Sequence, residues 1–181
     1  MRLTVALIAI TSVSAVSYAH DEVLIGHDGE GNMAVHAHVN MPVLLPLMAF
    51  EEVPGFASPD PGLVADPKYD EKKHILPLPG TARVQAIITA ADPFLGVWIG
   101  GGFAQLGVPF DLGIAPFHFH PLWNVPPDGP IGLYQLDIVF RDGNGGFADS
   151  EPVTLIFETI PEPATAGLLA GAGLLALRRR R

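Results

Sequence analysis

The chain has 181 residues, of which 49% are apolar, 8% aromatic and only 16% charged, with a formal net charge of −9. That length suits one domain of ordinary size, and so little charge excludes a disordered acidic tail or a long coiled coil. The 20 Gly and 18 Pro exclude an all-helical fold, the absence of Cys excludes disulfides and thiolate sites, and the acidic balance argues against nucleic acid as a partner.

Residues 1–19 read as a secretory signal helix. Arg2 supplies the positive start, and Leu3 to Val16 is apolar and uncharged. Ser17-Tyr18-Ala19 places small residues where signal peptidase reads them, so cleavage between Ala19 and His20 leaves His20 first.

The middle, residues 20–159, is expected to be a single all-β domain, an antiparallel β-sandwich. It is more acidic than the whole chain, because Arg2 and four terminal arginines account for half of the 10 basic residues. Val23 to Gly26 is a short apolar run. Asp28-Gly29-Glu30-Gly31-Asn32 is turn chemistry, and Met33 to Asn40 then alternates, which predicts a hairpin. A Pro-rich stretch from Pro42 to Pro79 has weak periodicity and reads as a surface excursion holding one short helix or strand. Arg83 to Ala90 alternates as a strand, and Val97 to Ile99 is a short apolar strand before three glycines. Leu133 to Arg141 and Val153 to Glu158 flank Asp142-Gly143-Asn144-Gly145-Gly146 as a second hairpin.

Four of the 7 histidines form two His-x-His pairs, His36/His38 and His118/His120. On a strand, residues two apart share a face, so two pairs on neighbouring strands could offer imidazoles to Zn²⁺ or Cu²⁺. Phe117 and Phe119 would then face the core. Ordinary polar-face histidines are the alternative reading. A free His20 amine with its ring suits Cu²⁺. No other cofactor is expected. Asp28-x-Glu30-x-Asn32 begins like a Ca²⁺ loop, but Met33 stands where Gly is required and Val39 where Glu is required, so a turn explains it better. The loop from Asp142 to Asp149 is equally weak as a cation site.

Enzyme chemistry finds little support. The middle holds two serines, Ser58 and Ser150, neither in a Gly-x-Ser-x-Gly elbow. Gly100-Gly101-Gly102 lacks the Lys and spacing of a phosphate loop. Trp98 and Trp123 could stack a sugar, though Trp in such a fold is more often core. No catalytic residue is assigned.

At the end of the chain, Pro161-Glu162-Pro163 precedes an apolar run, Ala164 to Leu177, and then Arg178 to Arg181. This order of motif, short apolar helix and basic cluster resembles the PEP-CTERM sorting signal of Gram-negative bacteria. The resemblance covers residues 160–181. It implies that an exosortase, a membrane-embedded transpeptidase-like enzyme, is the partner. Pro161, Glu162 and Pro163 would be recognised as parts of its substrate. The 14-residue run rises about 21 Å as a helix against a hydrocarbon core of about 30 Å. Its arginines favour the cytoplasmic side of the inner membrane, and Gly167, Gly171 and Gly173 form a small-residue stripe. A short, Gly-rich transmembrane helix of this kind suits a transient anchor; an ordinary tail anchor is the alternative.

His20-Asp21-Glu22, Pro54-Gly55-Phe56, Trp98, His118-x-His120-x-x-Trp123 and Ser150-Glu151-Pro152-Val153-Thr154 are also similar to landmarks of secreted PEP-CTERM proteins of planctomycetes. The His-x-His-x-x-Trp stretch with Gly132-Leu133-Tyr134 is similar to a β-sandwich surface domain of anchored bacterial proteins. These resemblances imply a fold and a cell-surface or extracellular-matrix location, with matrix polysaccharide as a candidate partner. The contrasting expectation is a secreted His-rich metalloprotein.

Overall fold

Alternating apolar and polar residues become strands where one face can be buried. The computed structural model describes residues 21–49, 53–66, 68 and 74–160. Within them lie β1 (Glu22–His27), β2 (Met33–His38), β3 (Val43–Ala49), β4 (Pro54–Ser58), β5 (Gly62–Ala65) and β6 (Arg83–Ala91). There follow β7 (Gly96–Trp98), β8 (Phe110–Ile114), β9 (Phe117–Phe119), β10 (Leu122–Val125), β11 (Leu133–Asp142) and β12 (Val153–Ile160). The chain is all-β in these residues, as the alternation predicts. The expected signal helix over 1–19 and the C-terminal helix lie outside the described residues. Among the described residues no helix is long and apolar enough to cross a membrane.

The strands form a four-stranded sheet, β2-β1-β5-β9, and an eight-stranded sheet, β7-β10-β4-β3-β12-β11-β6-β8. Both expected hairpins are present, with Leu24 opposite His36 in β1–β2 and Leu136 opposite Leu155 in β11–β12. The expectation of a wholly antiparallel fold is corrected: β1 pairs β5 in parallel, and β12 pairs β3 in parallel. Parallel neighbours need a crossover between segments distant in sequence, which local alternation does not encode.

The Pro-rich stretch is also corrected. It supplies three strands, β3, β4 and β5, the first two in the large sheet and the third in the small one. Pro46 and Pro54 avoid breaking the ladders by standing at their ends. Pro46 occupies the last β12–β3 pair, opposite Ile160, and Pro54 the last β3–β4 pair, opposite Ala49.

The inward faces of the two sheets meet in one continuous apolar cluster. Val23, Ile25 and Leu63 come from the small sheet, and Leu45, Val84, Leu136, Phe140 and Phe157 from the large one. Trp123 of β10 is fully buried there, its ring tilted against that of Phe157 with centroids 5.2 Å apart. Tyr134, at the start of β11, is buried and donates its hydroxyl hydrogen bond to the carbonyl oxygen of Pro130. Such a bond from strand to preceding loop fixes how the chain enters the strand.

The turns are held by their own carboxylates. Asp28 Oδ1 accepts the backbone N–H groups of Glu30 and Asn32 at 2.7 and 3.1 Å, and Oδ2 accepts from the Asn32 side-chain amide at 2.6 Å. Gly29 and Gly31 take φ of 87° and 102°, which L side chains rarely adopt. In the second hairpin, Asp142 accepts from the N–H groups of Asn144 and Gly146 at 2.9 and 2.7 Å. Both loops that resemble cation sites in sequence therefore spend carboxylate oxygens on their own turns.

Candidate functional site

The segment after β8 runs Pro116-Phe117-His118-Phe119-His120-Pro121. The flanking prolines fix φ at both ends and keep β9 to three residues. Alternation then decides the faces. Phe117 and Phe119 pack against the core, and His118 points outward and is exposed. β9 pairs antiparallel with β5, placing His118 opposite Val64.

Register across the small sheet builds the rest. Side chains that face each other across a ladder share a face. Glu22 lies opposite His38 on one side and Gly62 on the other, while Leu24 lies between His36 and Val64. Val23, Ile25, Val35 and Ala37 belong to the core side. The outer face thus carries His36 and His38 on β2, Glu22 and Leu24 on β1, Gly62 and Val64 on β5, and His118 and His120 on or beside β9.

Both His-x-His pairs occupy this one face, but at opposite edges of the sheet. Two strands, β1 and β5, separate them, which at about 4.8 Å per strand puts their backbones about 14 Å apart. The structure brings His118 together with His120 and does not bring that pair to His36 and His38. Among the described residues, no three or more His, Asp or Glu converge as a metal cage.

What it does assemble is a smaller cluster over Gly62. The rings of His118 and His120 have centroids 4.5 Å apart, inclined by 36°. A Cβ at Gly62 would lie 3.0 Å from His118 Nε2 and 2.9 Å from His120 Cε1. The Gly62 backbone is not in the left-handed region, so this glycine is distinguished by the space it leaves. Through that space His118 Nε2 reaches to 3.9 Å from Glu22 Oε1, a residue one strand further on. His120 Nδ1 lies 3.1 Å from the carbonyl oxygen of Pro59 and 3.7 Å from Asp60 Oδ1.

No local pattern in the sequence singles out Glu22, Asp60 or Gly62 as neighbours of His118 and His120. Glu22 is brought in by the parallel β1–β5 pairing and Asp60 by the β5–β9 pairing, for which the chain offers no local cue. Of the other candidates, Trp123 is buried, and Trp98 packs edge-on against Phe103 with centroids 5.3 Å apart. The two serines are tied into the backbone. Ser58 Oγ accepts from the N–H of Asp60 at 3.0 Å. Ser150 Oγ accepts from the N–H of Phe140 and donates to the Glu151 carbonyl, both at 2.9 Å. The expected cleavage point at Ala19 and His20, and the motif Pro161, Glu162 and Pro163, lie outside the described residues.

Comparison with known proteins adds one match: residues 159–181 fit the PEP-CTERM protein-sorting motif. No curated protein and no solved structure matches the chain, so the likeness of the middle to planctomycete proteins stands unsupported.

Proposed function

We propose that this is a secreted protein sorted by an exosortase, delivering a non-catalytic β-domain to the cell surface or extracellular matrix. The observation that carries this reading is the sorting motif at 159–181, which begins as β12 ends at Ile160. Pro161 and Pro163 lack the N–H groups needed to extend the β12 ladder. An enzyme can then address the Pro-Glu-Pro segment without pulling a strand out of the sheet.

The ends of the chain fit the same route. Residues 1–19 direct export and are removed after Ala19. Ala164 to Leu177 holds the protein in the inner membrane, with Arg178 to Arg181 on the cytoplasmic side. A span shorter than the hydrocarbon core makes a weak permanent anchor, which suits a tail that is cut. The exported domain is acidic, so a matrix polysaccharide partner would be neutral or bridged by cations rather than polyanionic. Both serine hydroxyls of the domain are hydrogen-bonded to backbone groups, which fits a non-catalytic domain.

The experiment is a pair of tags in the native host, one in the loop between β11 and β12 and one at the C-terminus. Replacing Pro161, Glu162 and Pro163 by Ala should hold both tags together in the membrane fraction, while the unaltered chain separates them. Equal processing of both chains would overturn the reading.

A further inference from the structure

We infer that the outer face of the large sheet, where β12 ends, rests on the membrane that holds the tail. Its aliphatic side chains seat among the lipid headgroups of the non-cytoplasmic leaflet. The inference rests on the reading of Ala164 to Leu177 as a membrane span and adds to it, because it gives the folded domain a lipid contact of its own.

Register builds the patch. Tyr134, Phe157 and Val43 form one row across β11, β12 and β3, and all three face the core. The next row therefore faces outward, and it consists of Leu133, Glu158 and Leu44. Ile160, paired with Pro46, continues that face two residues further on. The N–H of Thr159 donates to the carbonyl oxygen of Gly132 at 3.1 Å, which brings Ile131 to the same end of the strand. Leu44 and Ile160 are exposed, and Ile131 and Leu133 are 62% and 64% exposed. An aliphatic cluster left in water on an otherwise acidic domain marks a surface that is covered in use.

What covers it follows from where the chain goes. Only Pro161, Glu162 and Pro163 separate Ile160 from Ala164. Even fully extended, those four Cα steps reach about 14 Å. The headgroup layer on each side of the hydrocarbon takes up about 5–7 Å of that reach. A span that begins at Ala164 thus holds the end of β12 within about 10 Å of the membrane surface. Leu133 and Leu44 lie on the strands either side of β12, about 4.8 Å away, so a tilt about the tether brings the whole row down. Glu158 keeps the contact at headgroup depth, because a carboxylate does not enter hydrocarbon unpaired. The patch holds no Lys or Arg, so the attraction is apolar and needs no anionic lipid. The acidic turns at Asp28 and Asp142 stay clear. They meet at the other end of the domain, where Asn32 bridges Ala148, and β12 runs about 26 Å from its start after that loop to Ile160. Seated in this way, the domain presents Pro161-Glu162-Pro163 at the membrane surface, where a membrane-embedded exosortase meets it.

The test uses the full chain reconstituted into phosphatidylcholine vesicles. The chain has no Cys, so a single introduced thiol carries an environment-sensitive fluorophore at a known place. Leu133→Cys and Leu44→Cys report on the patch. Ile114→Cys is the control, since Ile114 is 58% exposed and lies opposite Arg83, at the end of the sheet near Asp142. All three positions are exposed, so the labels spare the core. In vesicles, the labels at Leu133 and Leu44 should shift to the blue, lose most of their quenching by aqueous iodide and gain quenching by nitroxide lipids. The label at Ile114 should do none of these. Flotation of the vesicles reads the anchor separately. A chain that does not float overturns the span and this contact with it. A chain that floats with all three labels equally open to iodide overturns the contact alone. Shielding from iodide without quenching by the nitroxide lipids would mean that protein, such as a second copy, covers the patch, and also overturns it.

Discussion

Trp123 Nε1 donates a hydrogen bond of 3.1 Å to the carbonyl oxygen of Pro61. An indole rooted in the large sheet thereby fixes the residue just before β5 of the small sheet. The bond is buried, so it satisfies two polar groups that water cannot reach. It also sets the position of Gly62, one residue further on, and with it the floor of the His118–Glu22 cluster.

Removing that indole should therefore act on stability and on the outer face together. Trp123→Ala is expected to cost about 3–5 kcal/mol through the cavity it leaves. Trp123→Phe should cost less and still lose the bond to Pro61. Urea denaturation followed by circular dichroism measures both. A loss below about 1 kcal/mol for the Ala variant would show that Trp123 does not anchor the core.

Tyr134 gives a sharper test because one atom is at issue. Tyr134→Phe keeps the ring and leaves the Pro130 carbonyl without its donor, at an expected cost of about 1 kcal/mol. Burial, with the nearby Asp92 charge, pushes the Tyr134 hydroxyl above its ordinary value. Folding thus favours the protonated form. The contribution is full below the unfolded value near pH 10 and is lost as pH rises through the raised folded value. Alkaline unfolding should begin at higher pH in Tyr134→Phe, relative to its own neutral stability, than in the unaltered chain.

Asp28 behaves in the opposite direction. The Asn32 side-chain amide, then the backbone N–H groups of Glu30 and Asn32, hold its carboxyl down at about 2. The ionised form is favoured by folding, so its contribution is present above the unfolded value of about 3.8 and is lost as pH falls through about 2. A carboxyl NMR titration should show a midpoint near 2 for Asp28, moving upward in Asn32→Ala. A midpoint that stays put in that variant would remove Asn32 as the main cause.

These interactions differ in how far the sequence announces them. The β1–β2 and β11–β12 hairpins follow from alternation around Gly- and Asn-rich turns, so both are legible from the residues alone. The outward turn of His118 between inward Phe117 and Phe119 is legible in the same way. The pairing of β5 with β1 and β9 is not, because Gly62 to Ala65 is only four residues and buried on both faces. Such a run carries no period that separates one face from the other. Glu22 could therefore not be matched to His118 before the sheet order was known. Likewise, His36/His38 and His118/His120 look equivalent in sequence, and only the order β2-β1-β5-β9 places them at opposite edges.

The central claim concerns the two ends of the chain, and the intact mass of the protein recovered from the envelope and medium of its native host tests it most directly. The account predicts a mature chain that begins at His20 and ends close to Pro161-Glu162-Pro163, lacking the apolar run and its arginines. A mature mass that still includes Ala164 to Arg181 would contradict it.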